Sequence, residues 1–270
     1  MTGVERIDAA FAAAGSEGRA ALMPYLMGGF PSDDASAAIA AAYAEAGADL
    51  VELGIPFSDP LADGPVIHLA ATRALAAGAT LESVLEVGGV IADRVPVVAM
   101  VYANMVLARG PEEVAARFAE AGLAGAIVPD LPPEEAGALR EALNRHGLAL
   151  VPLVAPTTPG PRRREICAGA QGFVYLVSDT RTTGERDDLP SELADLVAAT
   201  KADATVPVAV GFGIGTVDQA AAVGRIADGV IVGSRLVRAA DEAGDRAEAA
   251  IAVAEFIAGA RAAMSRPTVG

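Results

Sequence analysis

Three carboxylates stand close together in VELGIPFSDPLADGP (51–65), and no basic residue accompanies them. Glu52 is set among Leu50, Val51, Leu53 and Ile55. An ionised carboxylate in so apolar a strand is costly, so burial raises its pKa. A carboxyl group still protonated near neutral pH is equipped to serve as a general acid or base. A structural ion pair inside the fold is the competing reading of the same residue. Asp63 follows a loop stiffened by Pro56 and Pro60 and closed by Pro65. As an isolated Asp-Gly it would be an ordinary turn residue. Held rigidly beside Glu52, it is a second candidate acid. Asp59 reads as a turn former.

Glycine makes the second constellation. GFGIG (211–215) and GS (233–234) each follow an apolar run. Gly213 and Gly233 permit close backbone approach, and Ser234 adds a hydroxyl. Two such loops opening helices suit a phosphate held on backbone N–H groups. Turn glycines with a serine N-cap are the alternative. SDTRTTGERDD (178–188) carries no aliphatic side chain. It reads as a lid that excludes water, or as a plain solvated loop. Thr183 and Gly184 within it can reach the same phosphate. Tyr175, inside GFVYLV, is either core or a hydroxyl near the reacting centre. Tyr102 and Asn104 end the third apolar run and shape a pocket, while Asp130 reads as a helix cap. His68 and His146 fall in helical context and read as surface residues, and Arg162, Arg163 and Arg164 as a solvated face.

Positioning these groups requires a frame, and the sequence supplies one with a repeat. Eight short apolar runs recur: 21–27, 49–53, 95–101, 125–129, 148–154, 172–177, 206–210 and 229–232. They lack strict alternation, as parallel strands covered on both faces do. Alanine-rich helical patterns separate them, including 33–46, 111–121 and 132–146. The spacing predicts an α/β fold, a (β/α)₈ TIM barrel in one domain over 1–270, with an open doubly wound sheet as the alternative. An extra N-terminal helix over 4–15 precedes the first strand and closes the barrel's bottom. In a barrel, chemistry sits at the C-terminal ends of the strands, which is where both acids and both glycine loops fall.

Composition narrows the function classes. The chain has 270 residues, a formal net charge of −15 and one cysteine, Cys167. That charge disfavours nucleic acid and anionic membranes as partners. A lone cysteine forms no internal disulfide and suits a cytoplasmic location. Two histidines and one cysteine leave little material for a zinc site, so no metal is expected. The N-terminus lacks the pattern of a secretory signal, and no apolar stretch approaches a membrane span.

ELGIPFSDPLADGP (52–65) resembles the signature of the tryptophan synthase alpha subunit family. The likeness continues in PYLMGGFPS (24–32), VYANMVLARG (101–110), VPDLPPEE (128–135), LVAPTTP (153–159), GFVYLVS (172–178) and VGFGI (210–214). It implies cleavage of indole-3-glycerol phosphate to indole and D-glyceraldehyde 3-phosphate. By resemblance, Glu52 and Asp63 are the catalytic acids. Tyr175, Thr183, Gly184, Phe212, Gly213, Gly233 and Ser234 form the substrate pocket. The resemblance also implies an alpha-beta-beta-alpha heterotetramer with a tryptophan synthase beta subunit. That subunit carries pyridoxal phosphate, and this chain carries no cofactor. Three positions depart from the family pattern: Arg181 where the lid usually has glycine, PYLMGG where PYLTAG is usual, and His68 where glutamine is usual.

Overall fold

The computed structural model describes residues 1–178, 192–211 and 213–265. Its strands are β1 (Ala21–Met27), β2 (Val51–Gly54), β3 (Val97–Met100), β4 (Gly125–Ile127), β5 (Ala149–Val151), β6 (Leu153–Val154), β7 (Val174–Val177), β8 (Val208–Gly211) and β9 (Gly229–Val232). All pair in parallel, in the order β5-β4-β3-β2-β1-β9-β8-β7-β6. The two ends of that order, β5 and β6, are separated in sequence only by Pro152. The sheet therefore closes on itself, and the fold is the expected TIM barrel, not an open sheet with two free edges. Pro152 has no N–H, which splits the fifth run into two short strands. Its carbonyl still accepts from the Tyr175 N–H at 2.9 Å and carries the ladder across the break.

Side-chain alternation divides the core into two layers. Ala21, Met23, Tyr25 and Met27 of β1 point into the barrel, where they meet Val98, Ile127, Val151, Phe173, Tyr175, Ala209 and Ile231. The intervening Leu22, Leu26, Val51, Leu53, Val97 and Ala99 face the surrounding helices. Both faces are thus dry, which is why the runs read as continuously apolar.

The helix Gly3–Ser16 plugs the bottom of the barrel. Thr2 caps it in a reciprocal box with Glu5, which satisfies two of the donors a helix start leaves free. Ile7 and Phe11 of this helix are buried, and the Phe11 and Phe173 ring centroids are 5.6 Å apart. Gly229, at the start of β9, leaves room for the Phe11 ring, which would lie 2.9 Å from any Cβ there. The last helix, Arg246–Met264, is clipped to the same end. Arg261 donates to the Gly47 carbonyl at 2.9 Å and to Glu17 at 2.7 Å. The buried Arg19 grips Asp49 with both terminal guanidinium nitrogens, at 2.5 and 2.8 Å. No described helix is long and apolar enough to cross a membrane.

One helix begins later than its sequence suggests. The segment from Pro132 forms a turn, with Glu135 N–H donating to the Pro132 carbonyl at 2.9 Å, and the helix spans Gly137–Arg145. At 111 the expectation holds: Pro111 is the first residue of Pro111–Glu120, entered through Gly110 at φ 93°.

Candidate active site

In β2, Val51 and Leu53 turn outward, so the pleat turns Glu52 inward, in register with Tyr25 of β1 and Val98 of β3. Glu52 is 1% exposed, and neither carboxylate oxygen has a hydrogen-bond partner. A buried, unpartnered carboxyl avoids ionising. Burial, reinforced by the charge of Asp63, pushes its pKa up to about 8. No basic side chain among the described residues pairs with it, so the ion-pair reading has no support there.

Two tyrosines stand near Glu52. Tyr25 of β1 and Tyr175 of β7 are both buried, and the charge of Glu52 reaches both hydroxyls. Burial raises both phenols well above their ordinary range, so they are neutral donors. Each ring occupies space vacated by a glycine at a strand's C-terminal end. A Cβ on Gly54 would collide with the Tyr25 hydroxyl, and one on Gly211 with that of Tyr175. Tyr175 is thus a core residue whose hydroxyl also faces the charge of Glu52. Tyr25 escaped sequence reasoning; the only signal was its place in β1, on the inward side.

Asp63 ends the loop after β2. Its N–H donates to the Pro60 carbonyl at 3.1 Å, and the next residue, Gly64, is the N-cap of the helix Pro65–Ala76. The carboxylate is half-buried. Burial raises its pKa to about 6, against the opposing pull of a hydrogen bond from Tyr102 and the charge of His68. Tyr102 also holds the loop itself. Its hydroxyl also accepts from the Ala62 N–H at 3.1 Å, and its ring stacks on Phe57 with centroids 5.2 Å apart. Asp59 is exposed and takes a hydrogen bond from its neighbour Ser58 at 2.5 Å, as a turn residue does.

The two glycine loops lie at the same end of the barrel. Gly213 has φ 80°, a conformation that favours glycine. Gly233, not Ser234, is the N-cap of the helix Ser234–Glu242, and no side chain caps that helix start. Ser234 is buried as the first helical residue. An uncapped helix start beyond β9 offers amides and a positive dipole end to an anion. Thr183, Gly184, Phe212 and the expected lid after Ser178 lie outside the described residues.

The remaining candidates take other roles. Asp130 is a cap, but for a helix of a different unit: it accepts from Ala103 N–H at 2.8 Å, at the start of Ala103–Arg109. Asn104 is exposed on that helix. His68 is exposed, and His146 meets Glu112 at 3.1 Å. The arginine run is not uniformly solvated. Arg162 pairs with Glu134 and Glu165, while Arg163 forms a largely buried bridge to Asp203 at 2.8 Å.

Comparison with known proteins agrees with this layout. The family model described as tryptophan synthase alpha chain matches residues 11–265. A tryptophan synthase alpha chain from Synechococcus sp. (strain CC9902) is 51% identical over 225 residues, covering 82% of this chain and 84% of the relative. One from Rhizorhabdus wittichii is 44% identical over 264 residues, covering 97% of each. A solved structure of Mycobacterium tuberculosis tryptophan synthase superposes with a TM-score of 0.90 at 36% identity, covering 97% of this chain and 99% of the other. Matched in sequence over most of its length and in backbone from barrel plug to mouth, this chain belongs to the tryptophan synthase alpha chain family.

Proposed function

We propose that Glu52 and Asp63 share the cleavage of the C3–C3′ bond of indole-3-glycerol phosphate, Glu52 by moving protons and Asp63 by holding the indole N–H. Like its family, the chain is a lyase of tryptophan biosynthesis that acts on this substrate. The reaction needs a proton at indole C3, a weak carbon base. Protonated Glu52 delivers it, leaving a cationic indolenine and a carboxylate. That carboxylate takes the 3′-hydroxyl proton as the C3–C3′ bond breaks. The bond's electron pair returns to the ring, the aldehyde of glyceraldehyde 3-phosphate forms, and Glu52 is protonated again. Ionised Asp63 accepts a hydrogen bond from the ring N–H and favours the cationic intermediate. Tyr175 and Phe212 adjoin the substrate. Thr183, Gly184, Gly213, Gly233 and Ser234 hold its phosphate, so binding energy remote from the reacting bond orients it.

One observation carries this reading: a carboxyl group 1% exposed, without a hydrogen-bond partner, at the mouth end of a barrel strand. A fold does not need such a group, and an acid catalyst does. The proposed partner is a tryptophan synthase beta subunit in an alpha-beta-beta-alpha assembly, whose pyridoxal phosphate serves the condensation of indole with L-serine. Support comes from two exposed apolar side chains beyond neighbouring strands, Leu61 after β2 and Leu107 after β3.

Indole release from indole-3-glycerol phosphate tests the assignment. Glu52→Gln keeps shape and neutrality but cannot shuttle a proton; turnover falls by about 10²–10⁴ or more while phosphate-ligand affinity persists. Asp63→Asn costs orders of magnitude in rate and leaves the fold intact. Near-normal turnover in Glu52→Gln would remove Glu52 from its role.

A further inference from the structure

We infer that Tyr102 is a positioning residue for the lyase reaction, its hydroxyl clamping the loop after β2 and aiming the Asp63 carboxylate. The inference rests on the role given to Asp63 above and adds to it the group that holds that anion.

The clamp is anchored at both ends. Tyr102 lies two residues beyond the end of β3, and its backbone is tied on each side. Val101 N–H donates to the Ile127 carbonyl at 3.0 Å, and Ala103 N–H donates to Asp130 at 2.8 Å. The ring is 3% exposed and stacked on Phe57, near the start of the loop it clamps. Its hydroxyl accepts from the Ala62 N–H at 3.1 Å. The Asp63 carboxylate, on the next residue, is close enough for that hydroxyl to pull its pKa down. A phenol has one proton to give as well as lone pairs to receive, so the hydroxyl that accepts from Ala62 keeps its proton to offer to that carboxylate. The backbone next to Asp63 is thus fixed relative to the end of β3, not only relative to its own loop.

The clamp also bears on charge. Among the described residues, the titratable groups around Asp63 are Tyr25 of β1, Glu52 of β2, Tyr102 after β3, Tyr175 of β7 and His68 of the helix Pro65–Ala76. Of these, only the Tyr102 hydrogen bond and His68 oppose the rise that burial imposes on Asp63. Burial and the charge of Asp63, with a smaller push from Asp130, raise the Tyr102 phenol and keep its proton in place.

The experiment measures the pH dependence of indole release by the full chain carrying Tyr102→Phe, Asp63→Asn or both. Phenylalanine keeps the ring stack and removes only the hydroxyl. The acid limb of kcat/KM moves to higher pH by about half to one unit, so the variant loses about two- to fivefold at pH 6 and less at pH 7.5. In the Asp63→Asn background the same change has no further effect. A uniform loss at all pH values, in step with a lower Tm, would mean a merely structural tyrosine and overturn the inference. So would an unchanged profile alongside an inactive Asp63→Asn, which leaves the role of Asp63 standing. Full activity in Asp63→Asn would overturn both together.

Discussion

At the scale of single residues, two carboxyl groups are proposed to do opposite work because their surroundings differ. Glu52 sits in a dry strand with no donor, and Asp63 on a half-buried loop with one. Burial lifts the first to about 8 and the second to about 6, so near pH 7 Glu52 holds its proton and Asp63 has lost its own. The rate should therefore be bell-shaped in pH: kcat/KM rises through about 6 as Asp63 ionises and falls through about 8 as Glu52 does. A flat profile across that range would contradict the division of labour. Stability carries the same signature. Between its ordinary 4.5 and about 8, the folded chain keeps a proton on Glu52 that the unfolded chain has released. Stability contributed by this site is fully present below 4.5 and is lost as pH rises toward about 8. Glu52→Gln removes the loss, so its advantage over the wild type is absent near pH 4.5 and grows to a few kcal/mol by pH 8. Denaturant melts at the two pH values measure it.

At the scale of elements, the glycines ending β2 and β8 matter as much as the acids. Tyr25 and Tyr175 reach the site only because Gly54 and Gly211 leave room for their hydroxyls. Gly211→Ala forces Tyr175 off its position; overpacking of this kind costs about 1–3 kcal/mol, and KM should rise because a wall of the pocket moves. Unchanged KM with lowered stability would place the hydroxyl of Tyr175 away from substrate. This scale also separates what the sequence could reveal from what it could not. The repeat of apolar runs announced the barrel, because strands dry on both faces cannot hide their composition. Glu52 announced itself as an acid in such a run. Contacts between units did not announce themselves. Asp130 caps a helix that begins at Ala103, and the Tyr102 hydroxyl accepts from Ala62 in the preceding unit. Neither partner is a sequence neighbour, so no local pattern encodes the pairing. The turn at Pro132 was masked by the acids behind it, which suit a helix start equally well. The break at Pro152 lay hidden within one apolar run, because neither half loses its hydrophobic character.

At the scale of the whole molecule, the two ends of the barrel carry separate duties. The mouth holds an unpartnered acid and an uncapped helix start, each a cost to folding that the proposed function accounts for. The bottom holds the compensating order: a capped helix, the Phe11–Phe173 contact and the Arg19–Asp49–Arg261 cluster. If stability and chemistry are divided in this way, an injury to the plug should cost one without the other. Phe11→Ala leaves a hole between the first helix and the starts of β7 and β9, and such truncations cost about 3–5 kcal/mol. The melting temperature therefore falls, while kcat and KM for indole release, measured well below it, stay within about twofold of the wild type, a change under about 0.5 kcal/mol. A fall in kcat with the chain still fully folded would show instead that packing at the bottom is transmitted along the strands to Glu52, and that the barrel works as one mechanical unit.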